Sequence, residues 1–178
     1  CDVPVSGIDF YPTLLELAGI SVPDEQVIDG MSIVPLLKGQ DDQEISGRDL
    51  YWHYPHYANQ GGDPSAIIRS GPWKLIHYYE DGHDELYNLD SDPSEQTDIS
   101  GDHPENTEEL RARLDAWLKE TGAKLPVPDP EHDAEKEQAH MYSLEHEKMP
   151  ELEQQHADYL KPDWKPNDDW WGSQVTVD

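Results

Sequence analysis

Two tight turns between aromatic-rich segments constrain this chain more than any other feature. Gly71-Pro72 separates Ala66–Ser70 from Trp73–Tyr79, and a loop carrying Asp81-Gly82 separates the latter from Glu85–Leu89. Glycine supplies the positive φ that short hairpin turns demand, and extended segments joined so closely can only pair antiparallel. An antiparallel meander is therefore predicted from Ala66 to Leu89. Alternation divides its middle strand, with Trp73, Leu75, His77 and Tyr79 on one face and Lys74, Ile76 and Tyr78 on the other. Leu50–Tyr54, stopped by Pro55, reads as a further strand. The clearest helix pattern in the chain follows from about Pro104 to Thr121. It has Leu110, Leu114, Trp117 and Leu118 on one face, Glu108 and Glu109 in its N-terminal half, and Gly122 as its stop. Such a helix covers one side of a sheet. The predicted fold class is α+β, a small antiparallel β-sheet packed with helices.

Two shorter helices precede the sheet. Asp9 is expected to cap a helix from Phe10 to Ala18, with Pro12 in its first turn, Gly19 as its stop, and Leu14, Leu15, Leu17 and Ala18 mostly buried. The stretch SIVPLLKG repeats this grammar, with Ser32 as cap, Leu36 and Leu37 inward and Gly39 at the end. The stretch QDDQEISG reads as a polar loop. From Val127 to Asp178 the composition shifts to 14 acidic residues against 4 lysines, with prolines at 128, 130, 150, 162 and 166. Helices are predicted from Glu135 to Glu147 and from Glu151 to Leu160, neither with a continuous apolar stripe. This region reads as an acidic, partly irregular C-terminal tail over a surface, with Trp164, Trp170 and Trp171 as anchors.

Twelve Lys and Arg against 39 Asp and Glu leave a net charge of −27, which argues against nucleic acid or an anionic membrane as partner, because phosphate binding needs clustered cations. Self-repulsion of that size is relieved by salt, so a saline habitat and a merely acidic surface both account for it. A hydrophobic share of 35% and 15 prolines are thin provision for a fully compact chain of 178 residues, so part of it is expected to depend on a partner. No apolar run is long enough to span a membrane. Cys1 is the one cysteine and cannot form an internal disulfide. The chain starts on Cys1 in mid-motif and shows no secretory leader, so it is expected to be the C-terminal fragment of a longer protein.

The blocks DFYPTLLELAGI, DGMSIVPLLKG, YWHYPHY and IRSGPWKLIHYYEDGHDELYNLDSDPSEQ, with the amphipathic helix after them, follow in the order seen at the C-terminal end of the type I, formylglycine-dependent sulfatases of the alkaline phosphatase superfamily. The chain resembles that family from about Val3 to Pro130. The resemblance implies that residues 1–40 end the sulfatase α/β core region, 41–126 form the C-terminal subdomain, and 127–178 are a tail outside the family pattern. It further implies a sulfuric ester hydrolase, here of a sulfated carbohydrate, located in the periplasm or outside the cell. Its formylglycine nucleophile and calcium ion would belong to an upstream catalytic domain, the partner of this segment, and the segment alone would be inactive. Cys1 is not the formylglycine precursor, because Val3 and Val5 stand where the C/S-x-P-S-R motif needs Pro and Arg. Asp98 replaces a family Asn and puts a loop hydrogen bond in question. Two alternatives stay open: a phosphodiester or phosphonate hydrolase of the same superfamily, and a non-enzymatic module binding glycan or protein.

No residue of the chain is assigned a catalytic or metal-binding role. His53 and His56, at a strand end running into a glycine-rich loop, are candidates for contact with a sugar hydroxyl, sulfate or carboxylate, and Tyr57, Asn59 and Gln60 share that loop. The competing reading makes the histidines packed aromatics that tie the strand to its neighbours. Zinc is disfavoured, because H-x-x-H has no third ligand nearby. Arg69 and Lys74 are expected either to meet a sulfated substrate or to pair with carboxylates such as Asp81 or Glu85. The string EDGHDE lacks calcium-loop spacing and reads as a solvated turn. Tyr51, Trp52, Tyr54, Trp73, Tyr78, Tyr79 and Tyr87 read as core or domain interface.

Overall fold

Strands β1 (Leu50–Tyr54), β2 (Ser65–Ser70), β3 (Trp73–Tyr78) and β4 (Asp84–Asn88) form one antiparallel sheet in the order β1-β2-β3-β4. The structure is a computed structural model that describes residues 1–57 and 62–165. Pairs such as Tyr51 with Ile68 and Ile68 with Leu75 fix the register from strand to strand, and Leu75 in turn faces Leu86. Between β2 and β3 the turn has only two residues: Gly71 at φ +55°, a conformation that only glycine adopts without strain, and Pro72.

One face of the sheet is closed by helix α4 (Pro104–Glu120). Ala66, Ile68, Leu75 and Leu86 from the strands meet Leu110, Leu114 and Leu118 from the helix, forming a core in which five of these residues show no exposed surface at all. Tyr51 extends this layer by stacking on Trp117 with ring centroids 4.8 Å apart. The face holding Leu75 and His77 is thus the covered one. On the opposite face stand Trp52, Tyr54, Lys74, Ile76 and Tyr78.

The connection after β4 is held by carboxylates. Asp98 accepts N–H bonds from Leu86 and Ser100 and a hydroxyl bond from Ser100, each at 2.9 Å. All three partners are donors, so a carboxylate serves here as well as the amide oxygen of Asn would, and the loop bond is kept. Glu95 sits at φ +53°, the one non-glycine residue with positive φ among those described. Its carboxylate receives Lys74 Nζ at 2.6 Å, while Asp92 accepts the N–H groups of Gln96 and Thr97. Those bonds hold a backbone shape that by itself costs about 1–2 kcal/mol.

Before the sheet, a single 3₁₀ turn (Gly7–Asp9) leads into α1 (Phe10–Leu17), and two one-turn helices follow, α2 (Val34–Leu37) and α3 (Gln43–Ser46). Four expectations change here, one being that Leu37 of α2 points inward, since it is 63% exposed. Asp9 stands at the N-cap of α1 but makes no capping bond, because its carboxylate is turned to other partners. It accepts from Ser6 N at 2.7 Å, Met31 N at 3.0 Å and both terminal nitrogens of Arg48. The polar string 40–47 contains α3, started by Asp42 capping Glu44 N and Ile45 N and held by Ile45, which is 2% exposed. The apolar side of α1 is not buried: Phe10, Leu14 and Leu17 are 61%, 62% and 59% exposed.

Contact clustering divides the chain into Cys1–Pro126 and Val127–Asp178. The second unit holds α5 (Ala134–Ser143), a π-helical segment (Leu144–Lys148) and α6 (Met149–Tyr159). Asp133 caps α5 through Glu135 N and Lys136 N, and Pro150 stands just after the π-helical segment, at the start of α6. The two predicted helices thus run into each other through a π-helical segment. Trp164 packs edge-on against Tyr159 at 5.1 Å. Trp170 and Trp171, named above as anchors, lie outside the described residues.

Candidate functional site

The predicted contact residues occupy the end of β1 and the start of the loop after it. His53 faces the helix-covered side, opposite Ala66 of β2. Its Nδ1 lies 2.8 Å from Tyr79 Oη and its Nε2 3.2 Å from the Lys124 carbonyl. That carbonyl can only accept, so Nε2–H donates, and in the neutral ring Nδ1 accepts the Tyr79 hydroxyl. Both nitrogens of His53 are therefore engaged within this chain. Burial pushes the Tyr79 phenol above its ordinary range and keeps it a neutral donor to His53.

His56 and Tyr57 lie past the strand end and are exposed. His56 meets the ring of Tyr54 edge-on at 5.7 Å, and Tyr57 is 64% exposed. Trp52 and Tyr54, at 42% and 50%, continue an open aromatic strip on the face turned away from α4. Asn59 and Gln60 lie outside the described residues. The structure therefore separates the two histidines: His53 is tied into the fold through both ring nitrogens, and His56 is exposed past the strand end with a ring contact to Tyr54. Neither of two concavities, of about 230 and 420 Å³, is lined by them.

The two candidate cations also part. Lys74 pairs with Glu95 rather than with Asp81 or Glu85, while Arg69 has no hydrogen-bond or ion-pair partner among the described residues. A further polar cluster was not legible in the sequence. His77, 6% exposed, has its Nδ1 2.8 Å from Asp84 Oδ1, and Arg111 of α4 contacts both residues. His77 also packs edge-on against Tyr79 at 5.3 Å. The signal for this cluster was the predicted pairing of β3 with β4, but α4 enters it from 34 residues away.

The described residues offer no cluster that fits a calcium centre, and Cys1 does not stand in a formylglycine motif. No group of three or more metal-ligating side chains occurs among the described residues, and Cys1 is followed by Asp2-Val3-Pro4-Val5. No helix among them is long and apolar enough to cross a membrane.

A four-stranded antiparallel meander, closed on one side by a following helix and open and aromatic on the other, is the architecture of a sulfatase C-terminal subdomain. The chain belongs to the N-sulphoglucosamine sulphohydrolase C-terminal family, whose sequence profile matches residues 2–124. It is 33% identical to a sulfatase of Formosa agariphila, over 74% of this chain and 28% of that protein. It is also 33% identical to the N-acetylglucosamine-6-O-sulfatase of Bacteroides thetaiotaomicron, over 64% of this chain and 21% of that one. A protein solved in complex with its substrate D-glucosamine-2-N,6-O-disulfate superposes with a TM-score of 0.55 and 30% identity, over 70% of this chain and 25% of that chain. The chain thus spans 28% or less of the length of these relatives. A phosphonate monoester hydrolase, 19% identical with a TM-score of 0.50, shares the fold alone.

Proposed function

We propose that this chain is the C-terminal part of a sulfuric ester hydrolase that removes sulfate from a sulfated carbohydrate, and that residues 1–40 complete the α/β core of a larger catalytic domain. The family match over residues 2–124 carries the reading. The names of its relatives support the carbohydrate part, since they include an N-acetylglucosamine-6-O-sulfatase and a Δ4,5-hexuronate-2-O-sulfatase. The exposed side of α1 supports the domain part: Phe10, Leu14 and Leu17 form an apolar surface of the kind that marks an interface. Formylglycine and calcium, with the groups that hold them, would belong to the larger domain. A periplasmic or extracellular location belongs to the same proposal and is tested by a secretory leader in the full-length gene product.

Within this reading the chain supplies one edge of the substrate cleft. His56, Tyr57 and Asn59 would meet sugar hydroxyls, sulfate or carboxylate from the loop, and His53 would hold the end of β1 in place through Tyr79 and Lys124. The 178-residue chain is expected to show no turnover of an aryl sulfate with calcium, and the full-length protein to hydrolyse a sulfated monosaccharide. Turnover by the chain alone would overturn the assignment of the catalytic groups. In the full-length enzyme, His56→Ala is expected to raise KM or lower kcat/KM several-fold with Tm unchanged, while His53→Ala lowers both kcat/KM and Tm. Unchanged kinetics in both variants would leave this edge without a role in substrate binding.

A further inference from the structure

The second arginine of the chain differs from the other three. Arg48 pairs with Asp9, Arg111 with Asp84 and Asp115, and Arg113 with Asp49 and Glu109. Arg69 pairs with nothing among the described residues, in a chain holding 39 acidic side chains. It lies on the sheet face away from α4, between Leu50 of β1 and Lys74 of β3.

Arg69 and Arg48 line one concavity of about 230 Å³, walled by Ile45 and Leu50 and closed by the Gly71-Pro72 turn. Their Nε atoms are the buried side-chain polar atoms that lack a hydrogen-bond partner among the described residues. A guanidinium cannot shed its charge by losing a proton, so burying its N–H groups is costly unless an acceptor meets them. Asp2 and Asp90 also line the concavity, yet both are exposed and neither forms an ion pair with either arginine among the described residues. The positive charge of Arg48 is offset by Asp9. What remains is Arg69, the one cation of the lining without an ion-pair partner among the described residues, faced by the solvent-exposed Asp2 and Asp90; its planar guanidinium suits two oxygens of one group.

We propose that this concavity is an oxyanion site in which Arg69, assisted by Arg48 Nε–H, binds one monoanionic group, a carboxylate or a sulfate monoester. The group could belong to a ligand in solution or to a carboxylate side chain of the larger catalytic domain. Only the second source rests on the function proposed above. Hydrolysis of sulfate esters is the readout of that function and does not enter this test.

The probes are methyl sulfate and acetate, titrated at constant ionic strength into the ¹⁵N-labelled 178-residue chain. The Arg69 Nε–H resonance is expected to shift saturably and Tm to rise with probe concentration. Arg69→Gln should weaken the response at least tenfold, and Arg69→Lys, which keeps the charge but loses the fork, should fall between. An absent or unsaturable wild-type response, or an equal one in Arg69→Gln, overturns the site. The same titration of the full-length protein separates the sources. A saturable response supports a site open to solution. A silent wild type with Tm lowered by several degrees in Arg69→Gln supports a protein carboxylate as occupant. Silence with Tm unchanged in Arg69→Gln overturns the proposal.

Discussion

Helices α4 and α1 carry the same kind of apolar periodicity and end in opposite situations. Leu110, Leu114 and Leu118 of α4 are at most 6% exposed, because the sheet lies under them. Leu14 and Leu17 of α1 are about ten times more exposed, and Asp9 and Thr13 are the buried polar residues of that region. One helix is packed by its own apolar stripe. The other is held by polar bonds at its N-terminal end while its apolar stripe looks outward. A periodic stripe therefore does not by itself show that a helix is covered within the segment that carries it.

The contrast is sharpest in a pair of truncations. Leu114→Ala should lower stability by about 3–5 kcal/mol, as a leucine removed from a closed core does, whereas Leu14→Ala in the same chain should stay within ~0.5 kcal/mol. Chemical denaturation of both variants measures the difference, and equal losses would break the distinction between the two helices. Next in size is Asp9→Asn, which leaves Arg48 without its counter-charge and should cost about 3 kcal/mol. Burial alone would raise the Asp9 pKa, but the Arg48 guanidinium and the Ser6 and Met31 N–H groups outweigh it and hold it below 3.8. The folded pKa is thus depressed, so this contribution is complete above the unfolded value near 4 and is lost as pH falls through the folded one. Asp9→Asn, which has no carboxyl to protonate there, should accordingly show a flatter acid limb than the wild type when stability is measured by denaturation as pH falls below the unfolded value.

Gly30→Ala follows. A Cβ at Gly30 would stand 2.1 Å from the Ile8 carbonyl oxygen, and forcing the backbones apart should cost roughly 1–3 kcal/mol, read as a drop in Tm. Because the same segment brings Met31 N to Asp9, the loss should shrink in an Asp9→Asn background; strict additivity would show that the two contacts act separately. Smallest is Asp98→Asn, expected to change stability by less than about 1 kcal/mol at neutral pH, since the amide oxygen can accept the two N–H groups that meet Oδ1 and the Ser100 hydroxyl can turn to accept from the amide N–H. A larger loss would mean that the charge itself matters in that loop.

The sheet and α4 were legible because their signals are local: alternation, two glycine-bearing turns and one clean helical stripe. α3 was missed because a single apolar residue, Ile45, stood in a polar string, although Asp42 gave a capping signal. The role of Asp9 was hidden because its partners Met31 and Arg48 lie 22 and 39 residues away, and a carboxylate before a helix reads first as a cap. At the candidate site the pair His53 and His56 was visible, but what separates them was not. His53 is occupied by Tyr79 and by the Lys124 carbonyl, 26 and 71 residues along the chain. For Arg69 the sequence left both a sulfated substrate and a carboxylate such as Asp81 or Glu85 open as partners. The fold gives it no carboxylate among the described residues.

In the sheet, every strand pairs with the strand next to it in sequence. Closing such short loops takes little chain entropy, so the meander can form early and without waiting for distant segments. The N-terminal region has no such advantage, since the Asp9–Arg48 pair must bridge 39 residues. During refolding, amide protection should therefore arise first in β2 and β3 and later around Asp9. A segment that assembles itself first would offer a finished surface on which slower parts of the protein can settle.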